Sequence, residues 1–139
     1  MGVIWTARLP HHGCPGYTGP DALDVTRGSG GPFGGAFAPS RELLAEATKR
    51  KRAAKGDADH LAMVWSWYVP LYTEEMRTSW RTNRQAWLAM LARDLTTLCC
   101  YCAHPERCHR SLLAVLLQRA GERRGIEVVV YGERGRTLL

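Results

Sequence analysis

Four of the five cysteines and two of the five histidines of this 139-residue chain fall between positions 99 and 110, in the run Cys99-Cys100-Tyr101-Cys102-Ala103-His104-Pro105-Glu106-Arg107-Cys108-His109-Arg110. Thiols and imidazoles at this density suit nucleophilic chemistry, metal binding or both. A thiol beside cations at a helix start ionises below its ordinary pKa of ~8.5 and gains nucleophilicity. Cys108 and Cys102 are therefore candidate catalytic groups, with His109 to donate or accept a proton. The third chemistry is anion binding. The first turn of a helix carries unpaired N–H groups and the positive end of the dipole, so cations there are unfavourable by a few tenths to ~1 kcal/mol each. Arg107, His109 and Arg110 crowd that position, and an anion bound among them would relieve the conflict.

Zinc is the competing expectation. Cys100, Cys102 and Cys108 with His104, or with His109, would give it four ligands, although structural sites usually pair ligands as C-x2-4-C or H-x3-5-H. His11-His12-Gly13-Cys14 could add donors, but on its own it reads as a surface turn. No other cofactor is expected. A C-x4-R spacing joins Cys102 to Arg107, as in sulfur-transfer and phosphatase loops, yet no glycine between Cys102 and Cys108 aims successive N–H groups at an oxyanion. Cys99 reads as a small apolar strand residue.

The elements that must position these groups follow from periodicity. Residues 2–8 form a strand stopped by Pro10, residues 11–20 a loop, and residues 22–27 a half-buried strand. Residues 28–35 are glycine-rich without the order of a nucleotide P-loop or dinucleotide turn, so a flexible loop is expected. Ser40 caps a helix that ends at Gly56, and a second helix starts near Asp57 and is interrupted at Pro70. Thr73 marks a further helix start, and Thr82-Asn83-Arg84-Gln85 has capping-box form ahead of the stripe Trp87, Leu88, Leu91 and Leu95. Residues 95–102 read as a strand, 111–124 as a helix closed by Gly125, and 126–131 as a strand.

This last set is a βαβ unit, and the fold class is α/β: one domain over residues 1–139, with a mostly parallel sheet of about four strands and flanking helices. In such sheets ligands bind beyond the carboxyl ends of the strands. Arg8 and Arg27 end the first two strands, so a parallel arrangement would bring both to Cys102, Cys108, Arg107 and Arg110 as anion-binding groups.

Bulk composition agrees with this picture. Hydrophobic residues at 45% and charged residues at 23% fit a globular chain rather than a disordered or membrane-spanning one. Residues 1–9 are a poor secretory signal, and an odd number of irregularly spaced cysteines is a poor disulfide framework, so a cytoplasmic protein with reduced thiols is expected. A net charge of +6 favours an anionic partner, a nucleotide or nucleic acid. Much of the excess lies in Lys49-Arg50-Lys51-Arg52 with Lys55, which reads as a solvated helix face. No membrane association is expected, and a homo-oligomer is left open.

Leu98, Cys100, Tyr101, Cys108, His109 and Arg110 resemble the late block of domain of unknown function 488, a bacterial and archaeal family, and Trp5-Thr6-Ala7-Arg8 is similar to the end of its first strand. The resemblance implies a compact α/β fold and a shared site but no established reaction. Where this chain has Cys102 the family pattern shows a glutamate, so a carboxylate's acid-base role does not transfer. Two functions are in view. One is an enzyme or anion-binding protein, with Arg8, Arg27, Arg107 and Arg110 on the ligand and Cys108, His109 and Cys102 at the chemistry. The other is a zinc-stabilised, non-catalytic module holding nucleic acid or protein on its basic helix, residues 40–55.

Overall fold

The computed structural model describes residues 2–11 and 13–134, so His12 lies outside the described residues. Four strands, β1 (Gly2–Arg8), β2 (Ala22–Asp24), β3 (Leu95–Cys100) and β4 (Val128–Glu133), form one all-parallel sheet in the order β2-β3-β1-β4. The expected α/β class is correct. β1 is central, with Arg8 in register with Cys100, and β3 is buried from Thr96 to Cys100 because helices cover both faces of a parallel sheet.

β2 is shorter than expected. The Asp24 carboxylate accepts from the Thr26 N–H at 2.8 Å and the Thr26 hydroxyl at 2.6 Å, and this local turn ends the strand before Arg27. The glycine-rich segment that follows is not a flexible loop. Its first residues, 28–30, complete a turn, and from Gly31 it is helix α1 (Gly31–Phe37), packed directly on the turn after β2. A Cβ on Gly34 would stand 2.1 Å from the Thr26 carbonyl oxygen, and one on Gly30 would stand 2.5 Å from the carbonyl oxygens of Asp24 and Thr26. Close backbone approach, not mobility, is what these glycines permit.

Helix α2 (Arg41–Ala53) starts as expected. The Ser40 hydroxyl accepts from the Leu43 N–H at 3.1 Å and itself donates to Glu75. Helix α3 (Ala58–Thr82) corrects the sequence reading, because it runs unbroken through the expected stops at Pro70 and Thr73. Its buried stripe Tyr68, Tyr72, Met76 and Ser79 continues across the proline, and burial of that stripe outweighs the local cost of the exposed Pro70 ring. The Tyr72 hydroxyl donates to the Phe37 carbonyl at 2.7 Å and Ser79 to the Ala36 carbonyl at 2.5 Å, satisfying the end of α1.

Thr82 does not cap the next helix. It is the last residue of α3, and Asn83 alone separates it from α4 (Arg84–Leu91). Leu95 leaves the expected helical stripe and opens β3 half-exposed. Beyond β3 a 3-10 turn (Pro105–Arg107) leads into α5 (His109–Arg123), which buries Leu113, Ala114, Leu117 and Gly121 under the sheet. β4 runs two residues past the expected end at 131, a small shift that carries Glu133 into the site below. His11 and Cys14 pair with each other across a tight turn. No helix of the described residues is long and apolar enough to cross a membrane.

Candidate functional site

β3 delivers Cys100 at its carboxyl end, and the chain then loops through Cys102 and the 3-10 turn to reach Cys108, the residue before α5. Ser111 pins this loop by donating to the Pro105 carbonyl at 2.5 Å, and Leu9 N–H donates to the Cys100 carbonyl at 2.8 Å. The result is a short Cys100 Sγ to Cys108 Sγ approach of 2.9 Å, with both thiols buried and free.

Arg110 is the centre of the arrangement. Its side chain is fully buried, its Nη1 donates to Cys102 O at 2.8 Å and Cys100 Sγ at 3.0 Å, and it reaches Cys108 Sγ at 3.4 Å. The other edge of the guanidinium grips Glu133 in a bidentate pair, Nη2 to Oε2 at 2.6 Å and Nε to Oε1 at 3.2 Å. Thr6 donates to the same carboxylate at 2.6 Å. The anion that Arg110 calls for is thus supplied by the chain itself. Glu133 carries no motif signal, because only strand order brings the end of β4 to the start of α5.

The guanidinium and the thiols shift one another. Cys102 is lowered to about 5, first by the neighbouring Cys108 thiol and then by the His104 backbone, Lys51 and Arg110, against the opposing effect of burial. Cys100 is lowered to about 7, again chiefly by Cys108 and then by Arg110. Cys108, whose one proton faces Cys100 Sγ at 2.9 Å, is raised well above its ordinary value by the neighbouring Cys100 and Cys102 sulfurs and by burial. Cys99 faces the core, where burial pushes its thiol up to about 11, so it is an inert packing residue.

His109 is held neutral. Burial lowers it to about 4, and its Nε2 lies 3.2 Å from the Val25 carbonyl. Since a carbonyl only accepts, Nε2 carries the hydrogen and Nδ1 presents its lone pair, 3.9 Å from Cys108 Sγ. Cys100, Cys108 and His109 bring three ligand atoms within 4.8 Å of one another and could hold a metal ion. His104 is not in this group. Its ring is 63% exposed beside Glu106, so His109 takes the place that the zinc expectation gave first to His104.

A cavity of about 500 Å³ opens over these groups. Cys100, Cys102, Cys108 and His109 form its thiol and imidazole lining, Trp65, Tyr68 and Tyr101 its aromatic wall, and Arg27, Lys51 and Arg107 its cations. Among the described residues no carboxylate lines it. Arg27 is tethered by Nε to the Pro39 carbonyl at 3.0 Å, whereas Lys51 and Arg107 have no carboxylate partner among the described residues. Arg8 is not brought to the lining. It donates to the Tyr101 carbonyl at 3.1 Å and holds the loop from behind. Lys51, which the charge run disguised as a solvated face, is the lining residue that sequence reading missed.

A family model described as the active DUF488-N3 subclade matches residues 33–121, a stretch that includes the three site thiols, His109 and Arg110 but not Glu133. No curated protein and no solved structure matches the chain.

Proposed function

The chain belongs to the DUF488 family, and from that footing we propose that its cavity binds an anionic, nucleotide-like ligand on which the Cys102 thiolate acts as nucleophile. The observation that carries this reading is the pairing of a low-pKa thiol with a lining that holds three cations and no carboxylate. A cavity of about 500 Å³ is ample for a nucleotide-sized molecule, and Trp65, Tyr68 and Tyr101 offer ring faces and edges to a base. Lys51 and Arg107 bind the anionic group. Cys102, half-buried and lining the cavity, attacks an electrophilic carbon of the ligand, so that a C–S bond forms as the bond from that carbon to its leaving group breaks and the electron pair departs with that group. Cys108 keeps its proton and is the donor placed for a leaving group, while the free lone pair of His109 Nδ1 is the acceptor. Arg110 and Glu133 position the sulfurs and do not themselves line the cavity.

Calorimetric titration of the four nucleoside monophosphates into wild type, Lys51→Ala and Arg107→Ala tests the ligand. At least one nucleotide should bind wild type and lose tenfold or more in affinity in each variant. In parallel, iodoacetamide at pH 6.5 should label Cys102 first, and the bound nucleotide should protect it. No binding, or equal binding to all three proteins, ends this reading.

A second reading rests on the Cys100-Cys108-His109 group. Three ligands with one position open to a cavity is the coordination of a catalytic zinc, and the hydrogen bond from His109 to Val25 is the outer contact that fixes a ligating tautomer. Zinc there would supply a Lewis acid and an activated water. Elemental analysis of untagged protein decides: near-stoichiometric zinc that is lost in Cys108→Ser supports this reading, and less than a tenth of an equivalent removes it.

A further inference from the structure

At the far ends of α3 and α5 from the thiols lies a second groove of about 330 Å³. Two arginines one helical turn apart stand on each wall, Arg77 and Arg81 on α3 and Arg119 and Arg123 on α5. All four are exposed, and no aspartate or glutamate lines the groove. Arg77 pairs with Glu74 at 2.9 Å in an exposed contact, a kind that contributes little. Arg81, Arg119 and Arg123 have no carboxylate partner among the described residues. Between the walls the floor is apolar, made by Leu116, Ala120 and the half-buried Trp80 over the buried Met76 and Trp87.

This floor is rigid. The Trp87 indole N–H donates to Ser79 Oγ at 3.1 Å in the core, and the Trp80 ring packs edge-on against it at 5.5 Å. Arg84 stacks over Trp80 with its guanidinium carbon 4.3 Å from the ring centre and also donates to the Trp80 carbonyl. Four like charges around one groove repel one another, and an anion between them would relieve that repulsion. A chain-internal counter-ion, such as Glu133 provides for Arg110, is missing here among the described residues.

We propose that this groove binds single-stranded nucleic acid, with phosphates on the two arginine rows and a base turned to the Trp80 ring. A charged channel combined with an aromatic platform is how strands are held without sequence readout. An acidic peptide would use the arginines but not the rings. An anionic bilayer favours protruding apolar residues over a recessed floor. The claim does not depend on the thiol cavity, which lies at the other end of both helices and is built from different residues.

Fluorescence anisotropy of a labelled 20-mer of deoxythymidine, read as affinity against salt, tests it. Four arginine–phosphate contacts predict a log–log slope of about −2.8, hence about a 50-fold loss between 50 and 200 mM salt, at ~0.7 per contact for single strands. Arg119→Gln with Arg123→Gln should halve the slope and reduce that loss to about 7-fold, whereas the two lysine replacements should restore it. Trp80→Leu should weaken binding at least about 5-fold with the slope unchanged, separating stacking from charge. Lys49→Gln with Arg52→Gln on α2, and Cys102→Ser in the cavity, should leave both quantities alone. Far-UV circular dichroism confirms that each variant folds. An unchanged slope in the Arg119/Arg123 glutamine variant overturns the proposal. So does loss of slope in the α2 variant alone, or a preference for duplex DNA, polyglutamate or phosphatidylserine vesicles over the oligonucleotide.

Discussion

Glu133→Gln isolates the pair on which the thiol site is built. Arg110 is fully buried and Glu133 is 12% exposed, so the carboxylate is the main neutralising group for a charge that cannot reach water. Removing one member of a buried pair costs ~3–5 kcal/mol, because the other is left uncompensated. Glutamine keeps an oxygen for Thr6 and for Arg110 Nε but turns an amide N–H2 toward Nη2, where the present contact is 2.6 Å. Nη1 retains its contacts with Cys100, Cys102 and Cys108, which softens the loss. The expected destabilisation is therefore at the low end, about 3 kcal/mol, a large part of a typical 5–15 kcal/mol total and about 10 °C in melting temperature. Urea denaturation followed by far-UV circular dichroism, under reductant at pH 7.5, measures it.

The same variant has a second readout. With Glu133 neutral, the Arg110 charge falls wholly on the sulfurs, so the thiolates gain stability and the pH midpoint of iodoacetamide labelling should move down. Arg110→Met should move it up. Opposite signs from the two members of one pair distinguish electrostatic coupling from general loosening, which would expose the thiols in both variants and shift them together. A stability change below ~0.5 kcal/mol, the range of an ordinary surface substitution, or labelling midpoints that move in the same direction, would refute the reasoning.

Three further outcomes are expected. His109 sits at about 4 in the folded chain against 6.5 in the unfolded one, so the unfolded state binds the extra proton between those values. Stability from this group is complete above pH 6.5 and is lost as pH falls toward 4, by at most ~3 kcal/mol; denaturation midpoints of His109→Gln across that window should lack this component, and matching slopes would show that the imidazole is not held neutral. Gly34→Ala should destabilise by about 3 kcal/mol, since its Cβ meets the Thr26 carbonyl oxygen at 2.1 Å, whereas Gly35→Ala, with nothing within 4 Å, should stabilise by ~0.5–1 kcal/mol; equal effects in urea melts would contradict the packing of α1. Pro70→Ala restores a helical N–H at an exposed position and should raise the melting temperature, by up to ~3 kcal/mol in stability terms; a fall would mean that the proline sets a shape of α3 that the Tyr68–Tyr72 stripe needs.

The parts of the molecule legible in the sequence are those decided by local pattern. The run from β3 through α5 to β4 declared itself through apolar periodicity and Gly125, and the thiol cluster through its place at the strand-to-helix transition. What stayed hidden depends on contacts between distant segments. Gly30 and Gly34 look like loop glycines until the Thr26 carbonyl beneath them is known, and Pro70 looks like a helix end until the buried stripe on its far side is seen to continue. Arg110 is the most instructive case. Its charge at a helix start pointed to a bound external anion, whereas the partner in the fold is Glu133 on another strand, which spacing cannot show. Because Glu133 meets Arg110, the guanidinium is left to serve the sulfurs, and the anion of the proposed reading is met by cations from other elements. Lys51 on α2, Arg107 in the 3-10 turn and Arg27 after β2 are those cations, three residues brought together only by the order in which the sheet and its helices assemble. An internal counter-ion for the thiol-holding arginine and a rim of cations with no carboxylate beside it among the described residues are thus complementary halves of one charge arrangement.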